Sequence, residues 1–153
     1  MNCSITSISR HGSQNMRYKK RWYTAQDGLR LYFRDYGPTN GTALPVLCLA
    51  GLTRNSHDFS RLAPTLLPNR RIICPDYRGH GSSDRDPNWK NYVPFTYIND
   101  IKHLLIALNL HQIFVIGSSF GGVLAMGMGA AMPTVLAGVL LNDIGPMIER
   151  SGV

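Results

Sequence analysis

Gln112-Ile113-Phe114-Val115-Ile116-Gly117-Ser118-Ser119-Phe120-Gly121-Gly122 is the stretch that decides how this chain is read. Mostly β-branched and aromatic residues lead into a tight Gly/Ser turn, and a run of small residues follows. Gly117-x-Ser119-x-Gly121 is a pattern in which a serine stands on a sharp strand-to-helix turn with its hydroxyl exposed. The two glycines have a steric reason to be there. The turn brings the residues before and after the serine close together, and side chains at those places would collide. Ser119, not Ser118, is the serine flanked correctly on both sides. The bland alternative is a glycine-rich turn without chemistry. The flanking pattern, apolar strand before and helix after, favours the sharper reading.

Working outward, Phe120–Met132 reads as a helix rich in Gly and Ala, ended by Pro133, and Val135–Leu141 as a last apolar strand before Asn142-Asp143-Ile144-Gly145-Pro146. Upstream, Tyr97, Ile98, Ile101, Leu104, Leu105 and Leu108 recur at helical spacing. Thr96 can cap that helix and Asp100 favours its positive end. Pro45–Leu49 and Arg71–Pro75 are short apolar runs that suit strands covered on both faces. Between them Phe59, Leu62, Ala63 and Leu66 predict a helix from about His57 to Leu67, capped by Asn55 or Ser56 and ended by Pro68-Asn69. Lys20–Ala25 and Leu29–Tyr36 alternate around Asp27-Gly28, the signal of a β-hairpin with a two-residue turn. Leu31, Phe33 and Asp35 fall on one side of the second strand, and Arg30, Tyr32, Arg34 and Tyr36 on the other. After the hairpin, strands and helices alternate. That order predicts an α/β fold with a mostly parallel twisted sheet of about six strands and helices on both faces. Ligands of such sheets bind at the carboxyl ends of the strands, so the loops after Leu49, Pro75, Ile116 and Asn142 share one rim with Ser119.

The chain has 153 residues, 44% of them hydrophobic, which fits one domain with a sizeable core. Its net charge is +7, but Arg10, Arg17, Lys19, Lys20 and Arg21 all precede the first acid, Asp27. The body is nearly neutral and offers no basic face for nucleic acid. Residues 1–17 read as a disordered basic tail, and residues 18–153 as the folded core. An organelle transit peptide, or a natural start at Met16, are the other readings of that tail. Cys48 and Cys74 sit in apolar runs and Cys3 in the tail. An odd count in such places points to reduced thiols and a cytoplasmic setting, or an organelle matrix if the tail is a transit peptide. No apolar run is long enough to span a bilayer, and no secretory signal is expected.

Three stretches together resemble the α/β-hydrolase superfamily, from about residue 20 onward. Leu49-Ala50-Gly51-Leu52-Thr53 resembles the loop after the family's third strand, with Ala50 where histidine is common. Pro75-Asp76-Tyr77-Arg78-Gly79-His80-Gly81-Ser82-Ser83-Asp84 resembles its Asp-x-Arg-Gly-x-Gly-x-Ser loop, read as structural. Gly117-Ser118-Ser119-Phe120-Gly121-Gly122 resembles its nucleophile elbow. The resemblance implies a serine hydrolase acting on an ester, amide or related bond of a small molecule through an acyl-serine, with no cofactor. Ser119 would be the nucleophile, and the backbone N–H groups of Leu52 and Phe120 the oxyanion hole.

The family's triad runs serine, acid, histidine, and its usual acid and histidine follow later strands. This chain therefore reads as the N-terminal part of such an enzyme, without the cap and last two strands, and poorly active by itself. Local substitutes are Asp143 as the acid and His57 or His80 as the base, each also readable as an ordinary loop residue. No pair has the spacing of a metal site. A bare apolar sixth strand would recruit other strands, so self-association is expected. A non-catalytic binding or regulatory relative is the alternative. A Rossmann-type nucleotide site is disfavoured because Gly79-His80-Gly81-Ser82-Ser83-Asp84 gives G-x-G-x-x-D and prolines follow.

Overall fold

Six strands form one sheet in the computed structural model, which describes residues 18–67 and 70–145. The tail over 1–17 and the last residues, 146–153, expected to belong to the core, lie outside the described residues. Strands β1 (Lys19–Thr24), β2 (Arg30–Tyr36), β3 (Val46–Leu49), β4 (Ile72–Pro75), β5 (Ile113–Ser118) and β6 (Leu136–Asn142) lie in the order β1-β2-β4-β3-β5-β6. The β1–β2 hairpin is antiparallel and β2 joins β4 antiparallel, whereas β4, β3, β5 and β6 run parallel. The parallel strands need crossovers, which helices α1 (Pro94–Ala107) and α2 (Phe120–Ala131) supply for the later ones.

Alternation along the strands builds two cores. Leu31, Phe33, Leu47, Leu49, Ile73, Ile113 and Val115 face α1 and α2. Tyr36, Val46, Cys48, Ile72 and Cys74 face the other way and pack against Phe59 and Ala63. Cys48 and Cys74 are buried free thiols, as their apolar runs predict. The central strands β3 and β4 are buried at every position, while β6 is nowhere fully buried and forms one edge of the described sheet.

Three local expectations are corrected. The hairpin turn is longer than two residues: Gly28 N donates to Ala25 O (3.0 Å) and Ala25 N to Leu29 O (2.9 Å), with Gly28 at φ 87°. That is a three-residue loop whose glycine takes the left-handed position. The helix expected over 57–67 is instead two short 3-10 turns, Ser56–Phe59 and Ala63–Leu66. Pro64 lacks an N–H and its ring would clash with the carbonyl four residues back, so one α-helix cannot run through it. Asn55 does cap the first turn, accepting from His57 N; Pro68-Asn69 lie outside the described residues. Finally, α1 starts at Pro94 rather than after Thr96, because proline is well suited to the first helical position. Asp100 serves a different purpose from the helix dipole, as shown below.

Candidate active site

The site grows from one residue of turn. β5 ends at Ser118 and α2 begins at Phe120, so Ser119 alone reverses the chain, at φ 51° and ψ −118°. An L-residue rarely adopts that conformation, and such strain persists only where the surroundings impose it. The surroundings are visible. A Cβ on Gly117 would lie 2.5 Å from the Gly121 carbonyl oxygen and 2.7 Å from Gly122 Cα, and one on Gly121 would run into the Leu49 carbonyl. Ser119 N donates to Asn142 O (2.9 Å), and Gly122 N donates to Ser119 O (2.8 Å). Asn142 Nδ2 also donates to Ser118 Oγ (3.2 Å). The end of β6 thus clamps the turn.

Ser119 is exposed and lines a cleft of about 750 Å³. The β3 loop forms one wall. Arg54 N donates to Gly51 O (3.0 Å), closing a turn with Leu52 and Thr53 at its centre. That bond leaves the N–H of Leu52 unused, and Leu52 lines the cleft, half exposed. Phe120 is the first residue of α2, and the first N–H groups of a helix have no intrahelical acceptor. Both expected oxyanion donors therefore carry free N–H groups among the described residues.

Beneath the turn lies an aromatic support. Tyr77 packs edge-on to Phe120 (6.1 Å between centroids) and Tyr97 lies 5.3 Å from Tyr77. Tyr77 Oη donates to Ala50 O (2.8 Å), holding the start of the β3 loop. Burial, with Tyr97 beside it, pushes the Tyr77 phenol far above its usual pKa, so it stays a donor.

The glycine-rich loop after β4 is a structural clamp. Asp76 Oδ1 accepts from Ser56 N (2.7 Å) and Oδ2 from Ser82 N (2.9 Å), tying this loop to the segment after β3. Arg78 is completely buried. It makes two bonds to Asp100 (Nε 2.8 Å, Nη2 2.6 Å) and one each to Asp27 (2.8 Å) and Asp86 (2.5 Å). Hydrogen bonding to Asp100, above all, raises the guanidinium pKa. Burial raises that of Asp100 despite Arg78. Asp100 is thus a buried counter-ion, not a helix-dipole residue.

Of the two candidate bases, neither lines the cleft. His57 is an exposed residue of the first 3-10 turn. His80 has Nδ1 3.0 Å from Arg78 O and stands edge-on to Tyr77 (6.0 Å). Asp143 does line the cleft, also in the left-handed region at φ 59°. Ser119, Leu52 and Asp143 are brought together; the histidines are not. Sequence reasoning missed Asn142 and Tyr77 as supports. Tyr77 sits in a motif that was recognised, but its partner Ala50 is 27 residues away. Asn142 is marked by nothing local.

A family profile described as alpha/beta hydrolase fold matches residues 45–149. A 3-hydroxybutyrate-oligomer hydrolase from Cupriavidus necator is 34% identical over 125 residues, 81% of this chain and 42% of that protein. A serine hydrolase-like protein from Danio rerio is 35% identical over 108 residues, 71% of this chain and 32% of its own length. The crystal structure of an alpha/beta hydrolase from Novosphingobium aromaticivorans superposes with a TM-score of 0.83 at 42% identity, covering 88% of this chain and 47% of that one. The chain thus spans less than half the length of these relatives.

Proposed function

The chain belongs to the alpha/beta hydrolase fold family, and we propose on that premise that Ser119 is the nucleophile of a serine hydrolase acting on an ester, amide or related bond. The observation that carries this reading is the strained backbone of Ser119, held with its hydroxyl at an open cleft by two glycines that cannot be replaced. In the reaction, Ser119 Oγ attacks the acyl carbon and its proton passes to a base. The N–H groups of Leu52 and Phe120 stabilise the oxyanion that forms. The leaving group departs with that proton, and water then releases the acyl group from Ser119. The hydrolase names of the relatives support the same class.

Asp143 is assigned as the acid because it ends the strand beside β5 and lines the same cleft. No histidine lines the cleft among the described residues, so the base is assigned to an imidazole outside them. Turnover by these residues alone is accordingly slow. The same observation favours a second reading, a non-catalytic binding relative. The exposed β6 edge is assigned to self-association, and the substrate to a small molecule.

The test is hydrolysis of para-nitrophenyl acetate by the chain and by Ser119→Ala, with and without added imidazole. The expected result is slow release that the mutation abolishes and that imidazole restores toward a useful rate only when Ser119 is present. Equal rates in both proteins at every imidazole concentration would sink the nucleophile assignment and leave the binding reading.

A further inference from the structure

Resting on the reading of Ser119 as nucleophile, we propose that Arg54 makes this a site for substrates carrying a carboxylate, namely apolar esters whose far end is acidic. The geometry begins at Gly51. The position a Cβ would take there lies 3.5 Å from Arg54 Cγ and 3.8 Å from Ser119 Cβ, so the Arg54 stem and Ser119 border the same space beside Gly51. Arg54 lines the cleft and its side chain is 68% exposed. One described partner touches it: Nε lies 3.5 Å from Asp58 Oδ2. A contact of that length between exposed groups holds the guanidinium weakly. Asp58 is the one acid within salt-bridge distance of Arg54 among the described residues. A guanidinium presents the planar fork that suits a carboxylate.

The charges of the cleft are ordered. In the sheet β5 lies between β3 and β6, so Ser119 stands between Arg54, on the β3 loop, and Asp143, at the end of β6. An anionic substrate end is drawn to the Arg54 side and repelled from the Asp143 side, which fixes its direction across the nucleophile. Phe59, Leu62, Leu66 and Leu140 supply apolar wall, enough to take a hydrocarbon chain between the scissile carbonyl and the acidic end. Arg54 is the one cation among the described cleft-lining residues, set against Asp58 and Asp143.

The test separates binding from chemistry. Titration calorimetry on Ser119→Ala compares the mono-para-nitrophenyl ester of adipic acid with para-nitrophenyl hexanoate, a neutral ester of the same chain length. The acidic ester is expected to bind about fivefold tighter, the scale of one exposed charge pair. Adding Arg54→Gln brings the ratio to about one, while adding Asp58→Asn instead raises it, because the competing carboxylate is gone. Raising the ionic strength shrinks the preference. A neutral ester that binds as tightly as the acidic one, or a preference that survives Arg54→Gln, overturns the proposal. Para-nitrophenol release by the chain with Ser119 intact is read separately. If Ser119→Ala leaves that rate unchanged, the nucleophile reading fails while the binding comparison still decides the role of Arg54.

Discussion

At the residue scale, Ser119 holds a backbone conformation that costs about 1–3 kcal/mol in an L-residue. The strain comes with the exposed hydroxyl. Glycine adopts the same φ and ψ without a Cβ penalty. Ser119→Gly is therefore expected to raise stability by about 1 kcal/mol in urea unfolding, while Ser119→Ala, which keeps the Cβ, leaves it nearly unchanged. Equal stabilities of the Gly and Ala variants would mean that the turn is not strained. The turn residue was legible in the sequence, because Ser119 is flanked two residues away on each side by glycines, at positions where a side chain has no room. Its neighbours were less so. His57 and His80 lie on rim loops in the sequence order, yet a loop's side-chain direction depends on packing that no local pattern encodes. His80 turns onto Tyr77 and Arg78 instead of the cleft.

At the element scale, a buried ion cluster joins the hairpin to the parallel sheet. Asp35 on β2 accepts from Arg71 Nε and Nη2 (both 2.8 Å), just ahead of β4, and from Arg21 Nη1 on β1 (2.9 Å). Burial alone would raise the Asp35 pKa, but the hydrogen bonds from Arg71 and Arg21 outweigh it and hold the carboxyl below the ordinary aspartate value. A depressed folded pKa contributes stability above the unfolded pKa and loses it as pH falls through the folded one. Asp35→Asn is thus expected to cost about 3 kcal/mol at neutral pH, since it leaves Arg71 buried without its anion. The difference from the parent should narrow at pH values below the aspartate range. Urea titrations across that range check it; a cost that does not change with pH would contradict the assignment. Asp35 was placed with Leu31 and Phe33 by alternation, although its partner Arg71 lies 36 residues on. Strand positions were legible because continuous apolar runs and alternation report burial directly. The segment after β3 was not: Phe59, Leu62, Ala63 and Leu66 have helical spacing, but Pro64 breaks the backbone ladder that spacing assumes. Buried Phe59 and Ala63 still cover the second face.

At the scale of the whole molecule, the sheet is unequal at its two ends. On the hairpin side the edge strand β1 is tied to β2 by the Arg21–Asp35 ion pair and is mostly polar. On the other side Val139 and Leu140 are exposed on β6, with its outer backbone groups unpaired among the described residues. Edges of this kind pair with other strands. Static light scattering is expected to show mass rising with concentration in the micromolar range, and lysine at Val139 and Leu140 to suppress it. A constant monomer mass in the parent chain would refute association through β6. The family and the parallel order were readable from three motifs in sequence, because each needs a particular loop at the same sheet rim. The base was not readable there: the rim loops offered His57 and His80, and no described histidine lines the cleft.

The central claim is that Ser119 is the reactive atom of this site. It is tested most directly by intact-mass analysis after treatment with a fluorophosphonate, in parallel with Ser119→Ala. One adduct per chain, absent from the Ser119→Ala protein and formed faster when imidazole is added, is the expected result. No adduct under either condition, or an adduct that survives the mutation, would contradict it.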